Sequence, residues 1–166
     1  MEFSVVQGDI AAQSADALVN AANTGLRMGS GVAGALRRAG GEELNDAAVA
    51  AGPVDLGGVA VTDAYDLDAD HVVHAAAMPA GGSATAEGIR DAARNALAAA
   101  DDRGCESLVM PALGTGVAGF DFAEGVRILC TVVDGYEPTA LTDVRLIAYG
   151  DGEYRTMRRV ADEVRG

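Results

Sequence analysis

Val19-Asn20-Ala21-Ala22-Asn23-Thr24-Gly25-Leu26-Arg27-Met28-Gly29-Ser30-Gly31-Val32-Ala33-Gly34 is the stretch on which the fold turns. It opens at the end of a short strand pattern, Ala17–Val19, and closes on the first turn of a helical pattern from about Val32 to Ala39. Between them, Gly29 to Gly34 spells G-x-G-x-x-G. Glycines let a backbone turn sharply and approach a ligand closely, while N–H groups at the next helix start face an anion. The same form recurs at Gly114-Thr115-Gly116-Val117-Ala118-Gly119, again ahead of a helical pattern. One such loop is weak evidence in a chain with 22 glycines. Two of them suggest a pyrophosphate held between facing loops. A dinucleotide-binding dehydrogenase fold wants the glycine motif directly after the first strand, with an acidic residue about 20 positions on. Here the first strand leads into Gly8-Asp9-Ile10 instead, and the order of motifs is wrong for an NAD-dependent oxidoreductase.

Outward from these loops the chain alternates strand-like and helix-like segments with short connections, the mark of a layered α/β domain. Strands are expected at Phe3–Val6, Ala17–Val19, Val59–Thr62, His71–Ala75, Ser107–Met110 and Val144–Tyr149. Helices are expected at Val32–Ala39, Glu42–Ala51, Ala84–Arg103, Phe122–Val133 and Glu153–Val164, with Ser83 and Thr85 as candidate caps of the longest. The 166 residues read as one domain with a mixed sheet and helices on both faces.

Charge is the most informative bulk property. Asp and Glu number 25 against 12 basic residues, all of them Arg, for a net charge of −13. That balance resembles proteins of extreme halophiles, whose carboxylate shells stay hydrated while salt screens their repulsion. It disfavours nucleic acid as a partner, because no basic stripe exists to release phosphate counterions. No run of about 18 apolar residues suggests a membrane span, and the acidic start at Met1-Glu2 is no signal peptide, so a cytoplasmic protein is expected. Cys105 and Cys130 read as buried thiols. His71 and His74, three apart in a strand, point to opposite faces and cannot share a metal, so neither metal nor cofactor is expected. His74 reads as a hydrogen-bonded core histidine.

Four ordered motifs make the sequence resemble the macro domain family: Val6-Gln7-Gly8-Asp9-Ile10, Val19 to Asn23, Met28 to Gly34, and Pro111 to Gly116. The similarity runs over essentially the whole chain. It implies a three-layer α/β/α fold with a central mixed sheet of six or seven strands and an ADP-ribose cleft at its crest. By the resemblance, Asp9 accepts from the adenine amino group, Ile10 lies beside the ring and Tyr149 stacks on it. Asn20 belongs to the second motif, and Asn23 meets the distal ribose and is the candidate catalytic residue. Gly29, Gly31, Val32, Gly114, Thr115, Gly116, Val117 and Ala118 surround the phosphates. The partner implied is ADP-ribose, or a protein or small molecule that carries it, bound by a monomer.

The family holds both readers of ADP-ribose and hydrolases that remove it. The hydrolase branch commonly carries an acidic residue inside the first loop and a histidine a turn later, where this sequence has Ala33 and Arg37. Members with alanine there are associated with ADP-ribose 1''-phosphate or mono-ADP-ribosyl-ester processing, in which a substrate phosphate can help activate water near Asn23. Ala118 stands where many members carry an aromatic over the distal ribose, a place Phe120 could take instead. Arg37 and Arg38 read as solvated arginines behind the first loop.

Overall fold

The computed structural model describes residues 1–116 and 118–166. Among them, β1 (Ser4–Gln7) runs into a 3-10 turn at Ile10–Ala12, then β2 (Ala17–Asn23), α1 (Gly31–Gly40) and α2 (Glu42–Ala51). An edge hairpin-like pair follows, β3 (Val59–Asp63) and β4 (His71–Met78), then α3 (Ala86–Asp102) and β5 (Ser107–Pro111). The chain closes with α4 (Phe122–Gly135), β6 (Asp143–Ala148) and α5 (Asp151–Arg165). The sheet order is β1-β6-β5-β2-β4-β3, parallel throughout except for β3, which pairs antiparallel with β4.

Alternation along β2 shows how three layers arise. Ala17 and Val19 face a core shared with Leu97 of α3, Leu129 of α4 and Met157 of α5, while Leu18 and Ala22 face Leu36 of α1 and Leu44 of α2. The sheet is therefore buried on both faces, which explains the near-continuous apolar runs of its central strands. α3 approaches closely because its buried stripe is built from small residues, Ala92, Ala93, Ala96 and Ala100, around Ile89 and Leu97. Its start is fixed by Thr85, whose hydroxyl accepts from the Gly88 N–H at 3.1 Å, rather than by Ser83.

Of the strand boundaries that differ from expectation, two matter for the site. β2 does not stop at Val19 but continues to Asn23, carried by parallel pairing with β4 from Ala17↔His71 to Ala22↔Ala76. Asn and Ala have little strand preference of their own, so tertiary pairing overrides it. β6 ends at Ala148, which leaves Tyr149 just beyond the strand rather than in it.

Candidate functional site

β2 and β5 are neighbours, and from them the chain departs in opposite directions. After β2 it crosses to α1 and α2 on one face, and after β5 to α4 on the other. Such a reversal opens a crevice at the carboxyl ends of the strands, where α/β sheets bind ligands. Both glycine loops lie there. The resulting cleft, about 430 Å³, is lined by Asn23, Gly29, Gly31, Val32, Ala33, Gly114, Thr115, Gly116, Ala118 and Tyr149. A contiguous hollow of about 460 Å³ shares Gly31, Val32, Pro111, Ile147 and Tyr149 with it and adds Gly8, Asp9 and Ile10. A larger groove, about 780 Å³, runs between helix faces of α3 and α4. It lacks the paired glycine loops, so the switch-point cleft is the candidate ligand site.

Local chemistry shapes each wall. Gly31 opens α1 at φ +60, and Ser30, its N-cap, makes no side-chain bond to the helix start. The first N–H groups of α1 are thus left uncapped toward the crevice, as an anion requires. On the other wall Gly114 sits at φ +73, and a Cβ there would lie 2.8 Å from the Ala84 Cβ and 3.0 Å from Ile89. Gly125 plays the matching role on α4, where a Cβ would come within 2.6 Å of the Thr115 Cγ2. The second loop can therefore fold tightly only over glycine.

Asn23 stands at a break in register, since Ala22 pairs with Ala76 but Asn23 with Met78. Bulges of this kind re-aim a side chain at a sheet end. Its Oδ1 accepts from the Gly25 N–H at 2.9 Å, which leaves the amide N–H groups as what it offers the cleft. Asp9 caps the 3-10 turn, with Oδ1 accepting from the Ala11 N–H at 2.9 Å, and its side chain is exposed beside buried Ile10. Tyr149 is 76 % exposed over both hollows, so its ring has a free face. Gln7 secures its neighbourhood, donating to the Asp151 Oδ1 at 2.6 Å and the Tyr149 carbonyl at 3.4 Å.

Several expected residues stand elsewhere. Asn20 is 1 % exposed and outside the cleft lining, because the pleat turns it into the core on the same face as Leu18 and Ala22. Its Nδ2 meets the His74 Nδ1 at 3.0 Å, and the His74 Nε2 meets the Thr62 Oγ1 at 3.0 Å. His74 is wholly buried, and burial lowers its pKa to about 4, so it is a neutral core histidine. Phe120 turns away from the cleft to line the α3–α4 groove, and Phe122, the first residue of α4, lines the cleft wall together with Tyr149. Arg37 is no free surface arginine: it pairs with Glu42 at 2.7 Å and donates to the Met28 carbonyl at 2.9 Å, bracing the first loop from behind. Its bond to Glu42 raises its own pKa and lowers that of Glu42. Arg38 lines the outer hollow, and Val117 lies outside the described residues.

Sequence reasoning missed Arg27 and Phe122 on the cleft wall. Arg27 is exposed because Leu26, at φ 62, buries its own side chain completely and turns the next residue outward. A left-handed leucine has no signature in the sequence. Phe122 sits at a helix start whose apolar pattern reads equally as core. Among the described residues, no cluster of His, Cys, Asp and Glu could hold a metal ion, and no helix is long and apolar enough to cross a membrane.

The family model described as "Macro domain" matches residues 19–129. An uncharacterised protein of Mycobacterium tuberculosis is 40 % identical over 155 residues, 93 % of this chain. This chain spans only 43 % of that relative's length. An uncharacterised protein of Sulfolobus acidocaldarius is 37 % identical over 98 % of this chain and 91 % of its own length. A Trypanosoma brucei macrodomain in complex with ADP-ribose superposes with a TM-score of 0.84 at 26 % identity, covering 95 % of this chain and 68 % of that one. A mutant Oceanobacillus iheyensis macrodomain with ADP-ribose gives 0.87 at 24 % identity over 96 % and 91 % of the two chains, a likeness of fold.

Proposed function

The chain belongs to the macro domain family, and we propose that its cleft binds ADP-ribose or a molecule carrying it. The observation that carries this reading is the pair of glycine loops at the ends of β2 and β5, facing across the switch point beside an uncapped helix start. Adenine fits the outer hollow, with Asp9 at its amino group, Ile10 beside the ring and Tyr149 upon it. The pyrophosphate lies between Gly31–Val32 and Gly114–Gly116, and the distal ribose meets the Asn23 amide. The Trypanosoma brucei macrodomain bound to ADP-ribose supports this ligand.

Turnover is the second part of the proposal. Ala33 lines the cleft where a carboxylate would serve as base, so water near Asn23 relies on the substrate's own phosphate oxygen to take its proton. Water attacks the ester or phosphoester centre, the bond to the leaving oxygen breaks, and the proton taken up by the phosphate oxygen passes to that leaving oxygen, so that hydrolysis of an ADP-ribosyl ester or 1''-phosphate proceeds slowly. The pure reader is the alternative, distinguished by no turnover at high protein concentration. The charge of −13 further suggests a protein of a salt-rich cytoplasm. Calorimetric titration of ADP-ribose in molar potassium chloride, with AMP and NAD as comparators, tests the binding. Saturation near ~1 μM, about −8 kcal/mol, with NAD much weaker, is expected. No heat and no thermal stabilisation of folded protein would sink the assignment.

A further inference from the structure

The groove between α3 and α4 is not used by the reading above. Its volume is about 780 Å³, with an apolar floor from Phe120, Ile128 and Val132. Arg90 and Arg94 stand on one wall, exposed and one helical turn apart. Neither has an ion-pair partner among the described residues, and like charges at this spacing repel. Arg127 also lines the groove but is held by Glu163 of α5. Two carboxylates, Glu124 and Glu137, lie in the lining as well. In a chain with 25 acidic and 12 basic residues, the groove is close to neutral, with Arg90 and Arg94 unpaired among the described residues on the α3 wall and Glu124 and Glu137 elsewhere in its lining. Nothing in the packing of α3 needs them, since its buried stripe lies on other positions.

The groove abuts the cleft across the second loop. Phe120 in the groove donates its N–H to the Gly114 carbonyl at 3.1 Å, and Gly114 lines the cleft. A Cβ on Gly125 would touch the Thr115 Cγ2 on the cleft side at 2.6 Å and the Phe120 Cδ1 on the groove side at 3.6 Å. The Ala84 N–H bonds the Ala118 carbonyl at 3.3 Å, joining the mouth of the groove beside Ala86 to the cleft. The two sites are separated by the thickness of one loop.

We propose that this groove docks an acidic, partly apolar polypeptide segment of the ADP-ribosylated protein whose modification occupies the cleft. The inference rests on the cleft reading, and it names the partner of that site. Arg90 and Arg94 pair with carboxylates of the segment, and its apolar side chains cover Phe120 and Ile128. An acidic segment is otherwise repelled by this chain's net charge, so the groove selects where it lies. Holding both parts at once raises affinity through effective concentration, without any new contact in the cleft.

The test uses the full chain and a short synthetic peptide of Glu and Leu carrying one ADP-ribosyl group. Its comparators are the same conjugate with Gln for Glu, free ADP-ribose, and the unmodified acidic peptide. At moderate salt the acidic conjugate is expected to bind at least ~10-fold tighter than the Gln conjugate. An Arg90→Gln/Arg94→Gln variant loses that preference and binds free ADP-ribose as the wild type does. Equal affinity for the two conjugates, or a preference that survives in the variant, overturns the proposal. If free ADP-ribose fails to bind, the cleft reading fails on its own. The groove then stands on amide shifts at Arg90 and Arg94 caused by the unmodified acidic peptide, and falls without them. Two other occupants are scored by the same materials: a dimer in sedimentation that the variant abolishes, or tighter binding of a single-stranded oligonucleotide, overturns the acidic segment.

Discussion

Replacing Gly114 by alanine isolates what the second loop requires of its backbone. The residue sits at φ +73, where a Cβ meets the following carbonyl and costs about 1–2 kcal/mol. The same Cβ would stand 2.8 Å from the Ala84 Cβ and 3.0 Å from the Ile89 side chain, which is fully buried in the core under α3. Overpacking of that kind costs about 1–3 kcal/mol. Together the two effects predict a loss of about 2–5 kcal/mol, or roughly 5–15 °C in Tm for a chain of this size. Gly116 is the internal control: it has no left-handed φ, and its Cβ would meet nothing within 4 Å. Gly116→Ala should therefore leave Tm unchanged. Differential scanning calorimetry of both variants in one buffer decides the matter. A Gly114→Ala protein as stable as the wild type would refute the claim that this loop is held by sterics, and with it the placement of Thr115 on the cleft wall.

Asn23→Ala and Asp9→Ala should each weaken ADP-ribose by about 1.5–3 kcal/mol, roughly 10- to 150-fold in Kd by calorimetry, because in the proposed pose each removes a polar partner of the ligand. Wild-type affinity in both would defeat the proposed pose. His74 gives a pH signature. Its folded pKa is lowered to about 4 by burial, so between pH 6.5 and 4 the unfolded chain takes up a proton that the native one refuses. Stability should fall by about 1.4 kcal/mol per pH unit in that window, near 3 kcal/mol in all. Urea midpoints of His74→Gln between pH 7 and 5 should show a flatter decline, and an unchanged slope contradicts the assignment. Asp101 acts at lower pH. Burial opposes its charge, but N–H groups of Thr139, Ala140 and Leu141 and the Tyr136 hydroxyl hold its pKa at about 2. Its contribution is complete above about pH 4 and is lost as pH falls toward 2. Asp101→Asn should cost about 2 kcal/mol at pH 7, read as a lower Tm.

The layered fold was legible because both central cores are written in periodic apolar residues, and Thr85 announces its own helix. What escaped reading was set by distance along the chain. β2 runs to Asn23 only because β4, about 50 residues away, supplies the ladder. Asn20 and Asn23 look alike in the motif, yet the pleat and the break in register send one into the core against His74 and the other to the cleft. Phe120 and Phe122 differ by two positions and divide between groove and cleft for the same kind of reason, since a turn and a helix start lie between them.

The electrostatics of the cleft follow from the same architecture. A chain of net charge −13 cannot draw a dianionic ligand by its overall field. Arg27 and Arg38 are the cations along the described walls, and both are exposed, where a charge is worth little. Backbone N–H groups at the start of α1 and along the second glycine loop are a different resource. They are fixed by folding, carry no counterion shell and need no side-chain ordering when the ligand arrives. Binding through them should persist in molar salt, whereas binding through arginines should fade as salt screens it. On this argument Arg27→Ala lowers affinity at moderate salt and has little effect in molar potassium chloride. Equal losses at both salt concentrations, measured by calorimetry, would mean that Arg27 touches the phosphates directly and that the backbone is not the main source of attraction.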